Sequence, residues 1–184
     1  CLDVNTNPKN PIIGERAFSD NTDEVIKGGK IVVETYLENG VIPCVKHFPG
    51  HGDANADSHK SLPEINMSLE EMEKFHIRPF KEVDSPMLMV AHLHCKCFDK
   101  KVIPSSLSEN VVRKYLLEKM HYKGLIITDD MIMGGVQKFG AAKACSAAIK
   151  AGVNIMLYRD CYDSTIEIIE ELAKMSQNDE KLLE

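Results

Sequence analysis

The side chains most capable of chemistry lie between residues 45 and 63, in the sequence VKHFPGHGDANADSHKSLP. Asp57 and His59 are two positions apart, and a carboxylate so placed can hold an imidazole in one tautomer for general acid/base catalysis. The same spacing also occurs in ordinary surface hydrogen bonds. Lys46 and His47 end an apolar run, where burial without a partner would be costly. We therefore expect them to point into a polar pocket and to bind ligand hydroxyl and carbonyl groups.

Polar side chains also follow the other apolar runs of the chain. They are Asp3 and Asn5, His92, Asp129 and Asp130, and Arg159 and Asp160. If these runs are parallel strands, their carboxyl ends share one edge of the sheet, and residues far apart in sequence line one pocket. Asp129 ends a buried run, where partial desolvation suits a nucleophile or an electrostatic stabiliser. The alternative is that Asp129 or Asp130 caps a following helix.

A metal site is a second interpretation of the histidines. His92 and His94 form an HxH pattern at the end of a predicted strand. The further ligands would be His47, His51, His59 and Asp129, which together could make a zinc hydrolase site. The side chains of His92 and His94 share one side of the strand only if the strand extends that far. The sequence therefore leaves a metal-dependent hydrolase open.

Alternating strands and helices must position these residues. Continuous apolar runs predict buried strands at 40–48, 87–93, 125–128 and 153–158, and residues 1–4 resemble the end of another strand. Apolar periodicity predicts helices at 22–39, 69–83, 111–120, 141–151 and 164–175. The second and third of these helices follow predicted capping boxes, Ser68 with Glu71 and Ser106 with Glu109.

Strands that alternate with helices indicate parallel strands joined by right-handed crossovers. A closed eight-stranded barrel of this kind needs about 200 to 250 residues. We therefore expect the 184 residues to form one domain, the incomplete C-terminal portion of a (β/α)8 TIM-type barrel that lacks the early strands and has about five parallel strands. An open doubly wound sheet would also fit the length, but no glycine-rich phosphate-binding fingerprint follows the first strand.

The amino-acid composition limits which binding partners and which cellular location we expect for the protein. The formal net charge is -6 and the Lys and Arg residues are scattered, which argues against a nucleic-acid surface. There is no run of about eighteen apolar residues that would span a membrane. The six cysteines are expected to be free thiols, because a chain with a full core needs no disulfides. We expect a cytoplasmic location, with secretion as the alternative.

Several ordered motifs identify a family. The sequence KHFPGHGDANADSHKSLP resembles the signature loop of glycoside hydrolase family 3, in its bacterial β-N-acetylhexosaminidase branch. NPKNPIIGERAFSDN is similar to the family's NP-x-IG-x-R-x-F segment, and MLMVAHL is similar to its AH strand. The block from PSSLSENV to TDDMIMGGV and the strand AAIKAGVNIML match as well, so the resemblance covers residues 2 to 158.

The resemblance implies a (β/α) barrel that hydrolyses terminal β-linked N-acetylglucosamine with retention, through a covalent glycosyl-enzyme. Asp129, the first aspartate of TDD, matches the family's nucleophile. His59 matches its general acid/base and Asp57 the partner of that histidine, in place of the second carboxylate of most retaining glycosidases. The residues that match its sugar-binding positions are Arg16, Lys46 and His47. The implied partner is a small carbohydrate containing N-acetylglucosamine, and no metal or other cofactor is implied.

Two features depart from the family pattern. Asn154 stands where an aspartate is common, and the early strands, with a sugar-binding aspartate in a D-x-E-G-G segment, have no counterpart. An inactive carbohydrate-binding fragment is therefore another interpretation. Some members of the family are phosphorylases, and the sequence also leaves open whether the natural substrate is a peptidoglycan fragment or a chitin oligosaccharide.

Overall fold

A four-stranded parallel sheet organises the fold. In this computed structural model, which describes residues 1–54, 62–159 and 162–182, the strands of that sheet are β1 (Cys44–Phe48), β3 (Met87–Val90), β5 (Leu125–Asp130) and β6 (Ile155–Leu157), adjacent in that order. Two shorter strands, β2 (Glu64–Ile65) and β4 (His94–Cys95), form a separate parallel pair. The predicted α/β class with parallel strands is confirmed.

The register of the sheet aligns the carboxyl ends of its strands. Val90 of β3 pairs with Phe48 of β1 on one side and with Thr128 of β5 on the other. Asp130, at the end of β5, pairs with Leu157 of β6. The residues that follow these strands therefore meet at one edge of the sheet, which is the arrangement expected for parallel strands.

Residues 1–4 run beside β1 and contribute to the same edge. The backbone N–H of Leu2 donates to the carbonyl oxygen of Lys46 over 2.7 Å. The next residue, Asp3, therefore lies close to the end of β1. The prediction that this segment ends a regular strand is not confirmed, since the segment is irregular, but it occupies the place of a neighbouring strand.

The first long helix, Thr22–Glu38, matches the predicted helix and has two glycines near its middle. The side chain of Asn21 caps its amino end by accepting from two backbone N–H groups. A Cβ atom on Gly29 would lie 2.4 Å from a methyl carbon of Leu2, and one on Gly28 would lie 2.8 Å from the Phe18 ring. These glycines weaken the helix locally, but they allow it to pack closely on the amino-terminal segment.

The helix between β2 and β3 begins at the first predicted capping box. Ser68 Oγ accepts from the N–H of Glu71 over 3.2 Å, and the N–H of Ser68 donates to Glu71 Oε2 over 2.8 Å. The helix then consists of α-helical Leu69–Glu71, π-helical Met72–Ile77 and α-helical Arg78–Glu82. The predicted extent is confirmed, whereas the wide π-helical part has no counterpart in a periodicity of 3.6 residues.

The second predicted capping box is wrong. The helix Asn110–Lys119 is capped by Ser108, whose Oγ accepts from the N–H of Val111 over 3.1 Å. Ser106 lies one short turn earlier, in the 3-10 helix Ser105–Leu107. Ser106 with Glu109 has the spacing of a capping box, whereas Ser108 is followed three positions later by Val111 and has not. The hydroxyl of Ser106 instead lies 2.7 Å from His92 Nδ1, a partner that the local pattern does not reveal.

Most of the other elements agree with the prediction, although β1, β3 and β6 are shorter than predicted and β5 extends two residues further, to Asp130. β1 begins at Cys44 and not at residue 40, so the side chains of Val41 and Ile42 are exposed. Helices Ala141–Ala151 and Tyr162–Ser176 occupy the predicted positions. Three short helices complete the described elements: Gly14–Arg16, Gly134–Gln137 and Glu180–Leu182.

The hydrophobic core lies between the sheet and the helices that follow its strands. Phe48 is fully buried at the end of β1. Its ring packs edge-on against Phe80 with 5.4 Å between the ring centroids, and it lies 6.5 Å from the ring of Tyr115. These contacts fix the end of β1, from which the reactive loop begins. Across the parts of the chain that the structure describes, no helix is long and apolar enough to cross a membrane.

Candidate active site

A polar cavity of about 360 Å³ opens at the carboxyl edge of the sheet. The residues that line it are Ile12, Arg16, Lys46, His47, His51, Asp129, Asp130, Ile132, Met133 and Arg159. Four of the six predicted site residues are among them, namely Arg16, Lys46, His47 and Asp129. The other two, Asp57 and His59, lie outside the described residues. The cavity brings together side chains that are more than a hundred positions apart in sequence.

Asp129 reaches the cavity from the end of β5. Its Oδ1 accepts from the backbone N–H of Asp130 over 2.8 Å. The helix-cap alternative does not apply to Asp129, because the next helix begins at Gly134 and has no side-chain cap. Asp130 instead stabilises the turn, since its Oδ1 accepts from the N–H of Ile132 over 3.2 Å. The two neighbouring carboxylates therefore differ in their surroundings.

Positively charged side chains surround these carboxylates. Lys46 is half-buried, whereas Arg16 is exposed and its Nε–H donates to the carbonyl oxygen of Ile12 over 2.9 Å. Arg159 Nε lies 3.8 Å from Asp130 Oδ2. The side chain of Arg159 is 72% exposed, so this arginine lines the cavity as a largely solvated charge. The cavity thus combines carboxylates with several hydrogen-bond donors, a combination that suits a ligand rich in hydroxyl groups.

A buried carboxylate holds His47 in place. Asp3 is fully buried, and its Oδ2 lies 2.7 Å from His47 Nδ1 and accepts from the His47 backbone N–H over 3.2 Å. Asp3 Oδ1 accepts from the backbone N–H of His51 over 2.6 Å. The Nδ1 atom of His47 must donate here because an ionised carboxylate only accepts. The other ring nitrogen of His47, Nε2, is the one left for a ligand.

Asp3 is ionised despite its burial. Desolvation by itself would raise its pKa, but the charge and hydrogen bond of His47 and the N–H of His51 outweigh this and lower the pKa to about 2. Asp3 was noted in the sequence only as a polar residue after an apolar run. Its role as the support of two cavity histidines was missed, since its partners are 44 and 48 positions away.

Glycines give the loop after β1 its shape. A Cβ atom on Gly52 would lie 1.8 Å from the carbonyl oxygen of Val4, so only glycine allows the loop to approach the amino-terminal segment. Gly50 has a φ of +128° and faces the buried His76. The peptide bonds Lys46–His47 and Phe48–Pro49 are both cis. The motif PGHG is thus explained by close packing under the cavity.

The histidines that could form a metal site have separate partners. Both ring nitrogens of His92 are within hydrogen-bond distance of protein atoms, Ser106 Oγ at 2.7 Å and the carbonyl oxygen of Asp130 at 3.1 Å. His94 Nδ1 accepts from the backbone N–H of Ile103 over 3.4 Å. Among residues 1–54, 62–159 and 162–182, no group of three or more His, Cys, Asp or Glu side chains is arranged to hold a metal ion.

One departure from the expected pattern has a structural explanation. The side chain of Asn154, just before β6, accepts through Oδ1 from the backbone N–H of Ile126 over 2.8 Å. The N–H of Asn154 donates to the carbonyl oxygen of Ile126 over 2.9 Å. An aspartate could accept the first hydrogen bond equally well, so this position serves to join β5 to β6 at the edge opposite the cavity.

A comparison with protein families gives a clear result. The description "Glycosyl hydrolase family 3 N terminal domain" belongs to the family model that matches residues 1–184. The chain belongs to glycoside hydrolase family 3. The family resemblance seen in the motifs is thereby confirmed.

Individual relatives have consistent names. The chain is 34% identical over 171 residues to a beta-hexosaminidase A of Pseudoalteromonas piscicida, with 85% of this chain and 29% of that protein covered. A glycoside hydrolase family 3 beta-N-acetylglucosaminidase from Paenibacillus superposes with a TM-score of 0.91 at 30% identity, covering 98% of this chain and 36% of that one. The beta-glucoside phosphorylase BglX gives a TM-score of 0.90 at 25% identity, with 98% and 35% covered. The chain thus spans about a third of the length of these relatives.

Proposed function

We propose that the protein containing this chain is a retaining β-N-acetylhexosaminidase that releases terminal β-linked N-acetylglucosamine. The observation that carries the proposal is the single cavity shared by Asp129 and three potential sugar-binding residues, Arg16, Lys46 and His47. The names of the relatives support the same class of substrate. The same names favour a glycosidase over a metal-dependent hydrolase.

In the proposed reaction Asp129 is the nucleophile. One of its carboxylate oxygens forms a bond to the anomeric carbon while the bond from that carbon to the leaving oxygen breaks. His59, held by Asp57, donates a proton to the leaving oxygen in this step and takes a proton from the attacking water in the second step. The water oxygen then replaces the carboxylate, so the sugar leaves with its original anomeric configuration. The roles of His59 and Asp57 rest on the family motif alone.

The donors around the cavity would hold the sugar. Lys46 and Arg16 can donate to hydroxyl groups or to the acetamido carbonyl of the sugar. His47 Nε2 can form a hydrogen bond with a sugar hydroxyl while Nδ1 donates to Asp3. A carboxylate nucleophile together with a histidine that transfers the proton supplies the groups that both steps need.

We further propose that the sheet is the C-terminal portion of a (β/α)8 barrel, with residues 1–184 as one partial domain. Four parallel strands in sequential order, with helices between them, support this. Residues 1–4 lie beyond β1 and β6 lies at the other end of the sheet, and further strands of the barrel would pair at these two ends. The strong superposition on longer relatives is consistent with this arrangement.

We propose a cytoplasmic location on the evidence of the cysteines. The five cysteines within the described ranges are free thiols, and burial raises the pKa of Cys95 to about 12. Cysteines left unpaired are typical of a reducing compartment. Fractionation of the producing cells would test this, and activity found only outside the cells would refute it.

The function is tested by release of the aryl alcohol from an aryl N-acetyl-β-glucosaminide by the protein at its native length. We expect turnover that a chelator leaves unchanged, and accumulation of a glycosyl-enzyme on Asp129 with a slow substrate analogue. Asp129→Asn should abolish both signals, whereas Asp84→Asn, an exposed aspartate at the opposite edge of the sheet, should leave both unchanged. Full activity in Asp129→Asn would refute the proposed nucleophile.

The same assay shows whether water or phosphate accepts the sugar from the enzyme. Added phosphate should leave the rate and the product unchanged if water is the acceptor. If a sugar phosphate forms instead of the free sugar, the protein is a phosphorylase. The relative BglX is named as a beta-glucoside phosphorylase. A loss of turnover on chelation, restored by zinc, would instead support the metal-dependent alternative.

A further inference from the structure

A buried histidine contacts the backbone directly beside the proposed nucleophile. His92 follows β3, is fully buried, and lies between two other elements. Its Nδ1 is 2.7 Å from Ser106 Oγ, in the short 3-10 helix, and its Nε2 is 3.1 Å from the carbonyl oxygen of Asp130, at the end of β5. His92 therefore connects three parts of the chain across the carboxyl edge of the sheet.

The partners determine where the proton of the ring is. A backbone carbonyl oxygen only accepts, so Nε2 of His92 must carry the hydrogen and donate to Asp130. Burial lowers the pKa of His92, although the charge of Asp129 partly opposes this, so the ring is neutral near pH 7. In a neutral ring Nδ1 carries no hydrogen, so the hydroxyl of Ser106 donates to it. Ser106 thus selects the tautomer that can hold Asp130.

His92 is linked to Asp129 by way of the backbone of Asp130. The carbonyl group of Asp130 accepts from His92, and the N–H of the same residue donates to Asp129 Oδ1 over 2.8 Å. These two groups belong to neighbouring peptide units that meet at the Cα of Asp130, so a displacement of this residue would change the geometry of both hydrogen bonds. The carbonyl oxygen also accepts from the backbone N–H of Met133 over 3.0 Å, so His92 is one of two donors to it. With both in place, Oδ1 of Asp129 is occupied by the N–H of Asp130, and Oδ2 is the oxygen available to react.

We propose that His92, oriented by Ser106, is a positioning residue that holds the Asp130 backbone and thereby aims the reacting oxygen of Asp129 at the anomeric carbon. The proposal rests on Asp129 being the nucleophile of the proposed function. The alternative is a histidine that merely fills the core with its hydrogen bonds satisfied. The two differ in what happens when only the hydrogen bond to Asp130 is removed.

Two substitutions of His92 separate these roles. His92→Gln keeps an N–H donor near the place of Nε2, whereas His92→Asn keeps a polar partner near the place of Nδ1 for Ser106 but loses the donor to Asp130. We expect His92→Asn to lower kcat about 100-fold with KM almost unchanged, because a small misplacement of a reacting group costs about that much. His92→Gln should keep most of the activity. Equal losses in both variants, or full activity in His92→Asn, would overturn the proposal.

A second measurement does not depend on activity. In the protein labelled with ¹⁵N-aspartate, the amide hydrogen of Asp130, identified by loss of its signal in Asp130→Glu, should be protected from exchange with solvent, because it donates to Asp129 Oδ1. The protection should persist in His92→Gln and be lost in His92→Asn. If Asp129→Asn proves active, the proposed function fails, while the amide exchange in the His92 variants still decides whether His92 sets the Asp130 backbone. Unchanged protection in His92→Asn would overturn the positioning role.

Discussion

Replacing Asp3 by asparagine is the substitution for which the structure gives the most detailed expectation. The change keeps the size of the side chain but removes the negative charge of the carboxylate, which accepts hydrogen bonds from His47 and from the backbone N–H of His51. The new amide has one oxygen acceptor in place of two, and its NH₂ group would face one of the existing donors. We therefore expect a loss of stability and a displaced His47.

The magnitude follows from the pKa of Asp3. A carboxyl group whose pKa falls from 3.8 to about 2 on folding stabilises the folded state by about 2 kcal/mol when it is ionised. Losing hydrogen bonds to a charged group gives a similar figure, about 1.5 to 3 kcal/mol. We expect Asp3→Asn to lower the free energy of unfolding at pH 7 by about 2 to 3 kcal/mol.

The pH dependence has a definite direction. The folded pKa lies below the unfolded one, so the contribution of Asp3 is complete above pH 3.8 and is lost as the pH falls towards 2. Urea unfolding of the wild type and Asp3→Asn should therefore converge between these values. Asp84→Asn, which removes an exposed carboxylate, serves as the control and should track the wild type.

Two results would refute the reasoning on Asp3. One is an Asp3→Asn protein as stable as the wild type at pH 7, which would mean that the carboxylate is not needed to satisfy its donors. The other is a difference in stability that stays constant down to pH 2, which would mean that ionisation of Asp3 does not cause it. In the assay with the aryl glycoside, a raised KM should accompany the loss of stability, because His47 contributes to sugar binding in the proposal.

Two further substitutions test the packing around the cavity and the sheet. Gly52→Ala should lower the free energy of unfolding by at least about 2 kcal/mol, because the new Cβ atom would lie 1.8 Å from a carbonyl oxygen. Gly14→Ala, in open space but with a φ of +41°, should lower it by about 1 kcal/mol. Thermal unfolding of both variants would check this, and equal losses of stability would contradict it. Asn154→Ala should cost about 1 to 3 kcal/mol by leaving the N–H of Ile126 unpaired, and Asn154→Asp should be nearly neutral. Urea midpoints of the two variants would compare them, and similar midpoints would mean that the side-chain acceptor does not matter.

The residues that line the cavity were easier to predict from the sequence than the buried residues that hold them in place by hydrogen bonds. Arg16, Lys46, His47 and Asp129 were identified as site residues and line one cavity. Parallel strands place their carboxyl ends together, so a polar residue at the end of an apolar run is a strong local signal. The positions of Asp57 and His59 stay a prediction, because both lie outside the described residues.

What the sequence did not predict depends on contacts between distant parts of the chain. Ser106 fits a capping pattern, but its hydroxyl bonds to His92 instead of a backbone N–H of its own helix. The charged side chain of Asp3 is buried, and its partners belong to the loop after β1. Local patterns describe helix starts and strand faces, whereas partners of buried polar groups are set by the packing of whole elements.

The burial of Asp3 also affects the order of events when the chain is made. His47 is 44 positions after Asp3, and ribosomes add about 5 to 20 residues per second. The carboxylate therefore stays in water for about 2 to 9 s before its partner has even been synthesised. Until then the burial of this carboxylate is not offset by His47 or the N–H of His51, so Asp3 should become protected in a nascent chain only after the loop that follows β1 has been made.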